Sequence, residues 1–249
     1  MKIRFIFYGL FSFLVLSLVA TLLIVPPVLS AQDKNSISAQ GADVPAYRAG
    51  GTPIVIPPPT SDMVELGQDY RVVMEVLVPD QNRLLAAFVL PSDLAIIKSG
   101  GKNSLSKYAL AEVVRNGEFK DLSAKDYKEL ADSLEQQFGA VLDSSIREGE
   151  DELNRRSKAL NLDTKISFDK QVQLGGFFSK QDAYGTGIIM PVTANGNTTK
   201  VVAGIIFLRV KNRLLFAYLY NVYKDQETVQ WMRKATEEWA DAILKANEQ

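Results

Sequence analysis

The chain has 249 residues, of which 47% are hydrophobic and 23% are charged, a length sufficient for one large domain or two small ones. It contains neither cysteine nor histidine, which excludes disulfides, thiolate metal sites and catalysis by a Ser-His-Asp triad or a Cys-His pair. The formal net charge of −1 provides no basic field for nucleic acid, so no nucleic-acid partner is expected.

The first thirty residues have the pattern of an export signal. Lys2 and Arg4 precede a mostly apolar stretch over residues 5–25, which is followed by two prolines and small side chains. This order is typical of a secretory signal peptide, and we predict cleavage near residue 30. The apolar stretch would span about 32 Å as a helix, so a retained single-pass membrane anchor is the alternative. In both cases the rest of the chain lies outside the cytoplasm, and the absence of cysteine favours a bacterial periplasm.

The next segment marks the beginning of the folded part. Residues 31–52 are rich in Ala, Gln, Ser, Asn and Gly and are predicted to form a flexible leader. A single domain is then expected over residues 53–249. Residues 54–56 (IVI) are predicted to form an edge strand because three prolines follow them directly. A polyproline ligand for an aromatic groove is the alternative interpretation of those prolines.

Two apolar segments come next, over residues 72–78 and 83–90. The turn-forming sequence PDQN between them predicts a hairpin. Pro91 is expected to open a short helix that ends near Ile97, and residues 106–115 are predicted to form a further strand.

From Ser123 onward the apolar side chains follow a helical period. Ser123 and Asp126 fit an N-cap with an acid three residues later. The apolar positions that fall on one face of this helix are Tyr127, Leu130, Leu134, Phe138, Val141 and Leu142. The charged residues 147–158 are predicted to be an exposed helix continuation or a loop. Their acids lack EF-hand spacing and have arginines beside them, so no metal site is predicted.

The C-terminal part predicts an antiparallel sheet. Asn195-Gly196 lies between apolar runs and is a strong hairpin signal, and a second tight turn is predicted at Lys211-Asn212. Both faces of residues 201–208 are apolar, so helices or loops should cover both faces of the sheet. The predicted strands are residues 165–173, 184–192, 201–210 and 214–222, with a last helix from about 225 to 246. The fold class expected is therefore α+β, an antiparallel sheet covered by helices on both faces; two halves joined near residues 147–164 are the alternative division.

The order of these patterns resembles the PsbP-like α/β/α sandwich. The resemblance runs from the Ile54–Pro59 opening, through the strand start Asn82–Ala86, to a closing helix with Trp231 and Trp239. It is also similar to exported bacterial proteins with the same apolar opening. It covers roughly residues 53–246 and rests on the order of patterns without a diagnostic motif. It implies accessory and interaction roles, and the calcium-related histidines of some photosystem members have no counterpart in this chain.

These observations predict an exported, non-enzymatic accessory protein of the cell envelope. Its partner would be an envelope protein or a small apolar ligand, and no cofactor is expected. An aromatic binding platform is predicted from Tyr184, Tyr218, Tyr220 and Tyr223. Core packing is the alternative for Tyr218 and Tyr220, which share a strand face with Phe216.

Two other functions stay open at this stage. One is a hydrolase, acting through Ser104 and Lys107 in an S-x-x-K sequence or through a carboxylate pair. The candidate acids are Glu75, Asp93, Asp169 and Asp182. The other is a structural subunit of an envelope complex.

Overall fold

The computed structural model describes residues 46–75, 77–99, 105–159 and 165–248. The predicted signal peptide or anchor at residues 1–30 lies outside these ranges, as does the leader up to residue 45. Among the residues that are described, no helix has the length and apolar character needed to cross a bilayer.

The described ranges contain ten strands and four helices. Residues 46–49, which fall inside the predicted leader, form the first strand. The strands are β1 (Ala46–Ala49), β2 (Thr52–Val55), β3 (Val64–Glu65), β4 (Asn82–Val89), β5 (Lys107–Val114), β6 (Ile166–Phe168), β7 (Val172–Ser179), β8 (Ala183–Ala194), β9 (Asn197–Val210) and β10 (Arg213–Val222). The helices are α1 (Gln68–Glu75), α2 (Pro91–Lys98), α3 (Ala124–Ala159) and α4 (Gln226–Ala246).

Eight of the strands form one antiparallel sheet in the order β3-β4-β5-β10-β9-β8, and β6 and β7 both pair with the outer edge of β8. β1 and β2 form a separate hairpin. Tyr127 and Leu134 of α3 belong to the apolar cluster on one face of the sheet. Met232 and Trp239 of α4 belong to the cluster on the other face. The predicted α+β architecture, a large antiparallel sheet with helices, is confirmed.

Strand β9 shows why both faces of the sheet must be covered by other elements. Ile205 and Phe207 pack in the cluster on the α3 side, whereas Ile206 and Leu208 pack in the cluster on the α4 side. All four are at most 2% exposed. A strand buried on both faces lacks the alternation of polar and apolar residues, and residues 201–208 lack that alternation.

The two predicted tight turns join β8 to β9 and β9 to β10. Asn195 and Gly196 have φ angles of 50° and 79°, and Lys211 and Asn212 have angles of 47° and 61°. Two consecutive residues with positive φ match the right-handed twist of hairpin strands. Both hairpin predictions are confirmed.

The strand predicted over residues 72–78, and with it the hairpin to residues 83–90, is wrong. Residues 68–75 form α1, and β4 begins at Asn82. The spacing of Tyr70, Met74 and Leu77 is helical, and these side chains pack on the α3 side of the sheet. The predicted strand 165–173 also differs from the structure, because the chain is divided there into β6 and β7.

The side-chain amides of two asparagines form the same pair of hydrogen bonds with a strand residue that a neighbouring strand would form. Asn154 of α3 accepts from the N–H of Ile166 at 2.8 Å and donates to its carbonyl at 2.7 Å. Asn247 does the same for Val55, at 3.0 and 2.7 Å. Each amide therefore acts as one residue of a neighbouring strand, and Asn247 attaches β2 to the end of α4.

Asn247→Ala should lower the free energy of unfolding by about 1–3 kcal/mol, because it removes both partners of the Val55 backbone. Hydrogen exchange should accelerate in β1 and β2 and stay unchanged in β9. Glu248→Ala, at the exposed neighbouring residue, is the control. Equal exchange rates in the two variants would contradict the role given to Asn247.

Candidate functional site

The four tyrosines predicted as a platform lie on two different faces of the sheet. Tyr218 and Tyr220 are at most 1% exposed and Tyr184 is 3% exposed, all on the α3 side. Tyr223 is half-buried against the apolar cluster on the α4 side. The structure therefore does not bring the four together on one surface, and their binding role stays a prediction.

Tyr218 and Tyr220 belong to an aromatic row on β5 and β10. Tyr220 stacks on Tyr108 with ring centroids 4.5 Å apart, and the Tyr218 ring lies 6.3 Å from that of Tyr220. Burial raises the pKa of Tyr218 well above its ordinary value of 10.0, and the charge of Glu112 adds to the shift. The row is thus a neutral, tightly stacked part of the core.

A buried carboxylate adjoins this row. Glu112 of β5 is fully buried and accepts a hydrogen bond from the Asn82 side chain at 2.8 Å. Its backbone lies opposite Leu84 on one side and Phe216 on the other, so it faces the α3 side of the sheet. Sequence reasoning did not single out Glu112. The available signal was its place two and four residues after Leu110 and Tyr108 on the inward register of the strand.

This buried pair has the character of a structural element. Neither residue is more than 1% exposed, so the Glu112 carboxylate is buried away from solvent. Among the residues within the described ranges, no group of three or more Asp and Glu side chains is placed to hold a metal ion. A buried polar pair that fixes the β4–β5 register fits the geometry better than a reactive centre.

The predicted hydrolase residues lie in separate parts of the fold. Glu75 is exposed at the end of α1, Asp93 is buried in the first turn of α2, and Asp169 is exposed beyond β6. Asp182 forms a salt bridge with Arg209 at 2.6 Å.

The Ser-Lys alternative is only partly visible in the structure. Ser104 lies outside the described residues. The Lys107 ammonium pairs with Asp62 and lies 5.0 Å from the centre of the Trp231 ring. The Lys107 hydrogen bond is the largest cause lowering the pKa of Asp62, as expected for an ion pair with a charged lysine.

On the α4 side, a row of directly opposed residues crosses five strands at one end of the sheet. The row is Val172, Ile189, Val202, Asn221 and Lys107, from β7 to β5. Directly opposed residues in antiparallel strands point to the same face. Val202 is buried, whereas Ile189 is only partly buried and Val172 is 57% exposed.

Two aromatic side chains complete this surface. Trp231 lies over Lys107 at the end of the row. Tyr223 follows β10, and its N–H donates to the carbonyl of Lys200 in the neighbouring strand β9. Both are partly exposed and pack on the apolar cluster of the α4 side. We name Val172, Ile189, Tyr223 and Trp231 the apolar strip.

Side chains bond to the backbone at the outer edge of the sheet beside the apolar strip. The backbone of β6 is bonded by the side chains of Asn154 and Glu150. In β7, Arg233 donates to the carbonyls of Gly176 and Phe177, at 2.9 and 3.3 Å. Such capping by side chains is a common way to block edge pairing.

Comparison with known proteins yields likenesses of fold. No protein-family model matches the sequence, and neither does any curated protein. The solution structure of cyanobacterial PsbP (CyanoP) from Synechocystis sp. PCC 6803 is similar with a TM-score of 0.34 and 8% identity, over 82% of this chain and 95% of that one. The Ran-binding protein Mog1p of Saccharomyces cerevisiae has a TM-score of 0.25 and 12% identity, over 79% of this chain and 86% of that one. The predicted resemblance to PsbP is thus confirmed, and it concerns the fold alone.

Proposed function

We propose that the protein is an exported, non-enzymatic accessory protein of the cell envelope that binds a protein partner through the apolar strip. The export part of the proposal is supported by the basic start and apolar stretch of residues 1–30. The binding part is supported by the apolar strip itself.

The observation that carries the proposal is the position of Val172. Within the part of the chain that the structure describes, Val172 and Phe119 are the large apolar side chains with high exposure. Val172 lies directly opposite Ile189 at the start of edge strand β7, so an exposed apolar side chain adjoins a partly exposed one.

The aromatic members give the strip the composition of an interface. Trp and Tyr are enriched at binding hot spots because they bury much apolar area while keeping a polar tip. The Trp231 ring is held in place by the Lys107 ammonium, which Asp62 in turn positions. A pre-positioned aromatic side chain loses little conformational freedom on binding.

Site-specific photocrosslinking tests this function. A benzophenone amino acid is placed at Tyr223 in the full chain, expressed in its own host and irradiated in intact cells. We expect one defined protein adduct, which should disappear when Val172→Lys and Ile189→Lys are added to the same chain. An adduct of small mass would instead identify an apolar ligand of the strip and contradict the protein partner.

The matched control carries the crosslinker at Gln230, which is exposed on α4 directly beside Trp231 in sequence. The same adduct at both positions, or an adduct that survives the Val172→Lys and Ile189→Lys substitutions, would overturn the proposal. Fractionation of the same cells tests export, because a cytoplasmic pool of mature protein would contradict that part.

A further inference from the structure

The most exposed large apolar side chain of the described residues belongs to a different end of the sheet. Phe119 is 71% exposed and lies in the loop between β5 and α3. This loop is beside the Lys211-Asn212 turn, because the N–H of Leu122 donates to the carbonyl of Asn212. Along β9 and β10, that end is opposite to the row that contains Val172 and Ile189 of the apolar strip.

The loop that carries Phe119 is held on both sides. Glu118 forms a salt bridge with Arg83 and accepts a hydrogen bond from the N–H of Gly50. Asp121 forms a salt bridge with Arg213 at 2.9 Å. Phe119 is therefore presented by a fixed backbone, which is the arrangement of a binding anchor with little conformational freedom to lose.

The β1–β2 turn packs closely against the same loop. Gly50 has a φ of +54°, and a Cβ there would lie 1.9 Å from the carbonyl oxygen of Glu118 and 2.9 Å from the Cα of Phe119. Glycine satisfies both the positive φ and the close approach. The turn thus brings Arg48, two residues earlier, to the vicinity of Phe119.

Four exposed cations occur around this loop. Arg48, Arg115 and Lys211 donate to backbone carbonyls of Gly51, Asp80 and Pro53. Lys120 directly follows Phe119. Within the described residues, Arg48, Arg115, Lys120 and Lys211 form no salt bridge, and all four are exposed.

The acids of this loop do not cancel this charge. Glu118 and Asp121 are already paired with Arg83 and Arg213. Asp80, whose carbonyl accepts from Arg115, forms an ion pair with Arg155 at 3.7 Å. Asp182, at the same end of the sheet, is paired with Arg209. A chain of formal charge −1 therefore places a local excess of positive charge around one exposed phenylalanine.

We propose that this end of the domain docks on an anionic phospholipid surface, with Phe119 entering the headgroup region and Arg48, Arg115, Lys120 and Lys211 contacting lipid phosphates. Cations near a membrane surface and an apolar side chain at its boundary are the two attractions that hold a peripheral protein. Each cation contributes a factor of about five in association, so four together give a reversible contact.

The shape of the site favours a lipid surface over a protein pocket. A protein hot spot is normally surrounded by apolar contacts that exclude water. The side chains around Phe119 are long, exposed cations instead, and cations are the groups that contact headgroup phosphates. The apolar strip at the opposite end would then face away from the membrane and remain accessible to its protein partner.

The absence of cysteine from the chain allows a direct test. A single cysteine introduced by Asn116→Cys, in the same exposed loop, is labelled with an environment-sensitive fluorophore in the full chain. The labelled protein is mixed with vesicles of phosphatidylcholine alone or with phosphatidylglycerol added, both containing a lipid-borne quencher near the headgroups. We expect quenching with the anionic vesicles that is at least several-fold stronger and that declines in high salt.

The control label is introduced by Asn197→Cys at the opposite end of the sheet, and it should not respond to the anionic lipid. Phe119→Ser, and separately Lys120→Glu with Lys211→Glu, should each reduce quenching of the Asn116 label by about tenfold or to the zwitterionic level. Equal quenching in the two kinds of vesicle would overturn the proposal. A response at Asn197 equal to that at Asn116, or a response that survives both sets of substitutions, would also overturn it.

Discussion

Replacing Gly204 by alanine is expected to lower the free energy of unfolding by about 2–3 kcal/mol, although the added group is a single methyl. A Cβ at Gly204 would lie 2.2 Å from Oγ1 of Thr236 and 3.0 Å from Sδ of Met232. Both side chains are fully buried, and the Thr236 hydroxyl donates to the carbonyl of Met232 at 2.5 Å. Neither neighbour can move without breaking packing or a hydrogen bond, so α4 would have to shift away from β9.

Chemical denaturation of matched variants measures this effect. Gly67→Ala is the control, because a Cβ at Gly67 meets no atom within 4 Å. That control should be neutral or slightly stabilising, since alanine restricts the unfolded chain more than glycine does. Adding Thr236→Ala to Gly204→Ala should recover part of the lost stability, because it removes the nearest contact. A Gly204→Ala variant as stable as the control would show that α4 is not packed directly on β9.

The elements that the sequence predicted correctly are those determined by local patterns. The two tight turns depend on residues that tolerate positive φ, and the dipeptide Asn195-Gly196 is a recognisable sequence signal for such a turn. Helix α4 carries its own start signal, since Asp225 accepts from the N–H of Thr228 and the Thr228 hydroxyl accepts from the N–H of Asp225. Strand β9 is apolar on both faces, so its burial could be predicted without knowing which elements pack on it.

The secondary-structure predictions were wrong where tertiary contacts determine which element forms. Residues 72–78 form a short apolar run that fits a strand as well as a helix. The helix is favoured because Met74 and Leu77 pack into the α3-side cluster and Arg71 donates to the carbonyl of Leu84 at 2.7 Å. The division between β6 and β7 likewise depends on a distant residue, since the N–H of Phe168 donates to the Glu150 carboxylate.

The candidate sites were harder to predict than the fold for a related reason. Alternation correctly placed Tyr218 and Tyr220 on one face, and the cover that the sequence predicts for both faces of the sheet buries them there. Phe119 is presented by a loop whose acids, Glu118 and Asp121, form salt bridges with arginines of other strands. A loop sequence contains no local signal for such contacts.

Asn82→Asp is expected to be the most damaging of the conservative substitutions, with a loss of about 3–5 kcal/mol at pH 8. It would place a second carboxyl group beside that of Glu112, at a position where the native amide donates over 2.8 Å. Both sites are almost fully buried, so the two groups cannot both ionise without a large electrostatic cost. The folded variant should therefore retain one proton between the two carboxyl groups at a raised pKa.

The sign of the pH dependence follows from that retained proton. Above about pH 4 the unfolded chain releases the protons of both carboxyl groups, whereas the folded variant keeps one. Unfolding then releases a proton, so stability should fall with rising pH by up to about 1.4 kcal/mol per pH unit. The loss measured at pH 5 should be clearly smaller than the loss at pH 8.

Asn82→Ala separates the charge effect from the loss of the hydrogen bond. It removes the donor to Glu112 without adding a carboxylate, and it should cost about 1–3 kcal/mol. Denaturation of Asn82→Asp and Asn82→Ala across pH 5 to 8 should give diverging stabilities, with the aspartate variant falling faster. Parallel pH profiles would mean that the introduced carboxylate is solvated or paired with a cation. Residue 82 and the Glu112 carboxylate would then not be confined together in the buried core, and the prediction would be wrong.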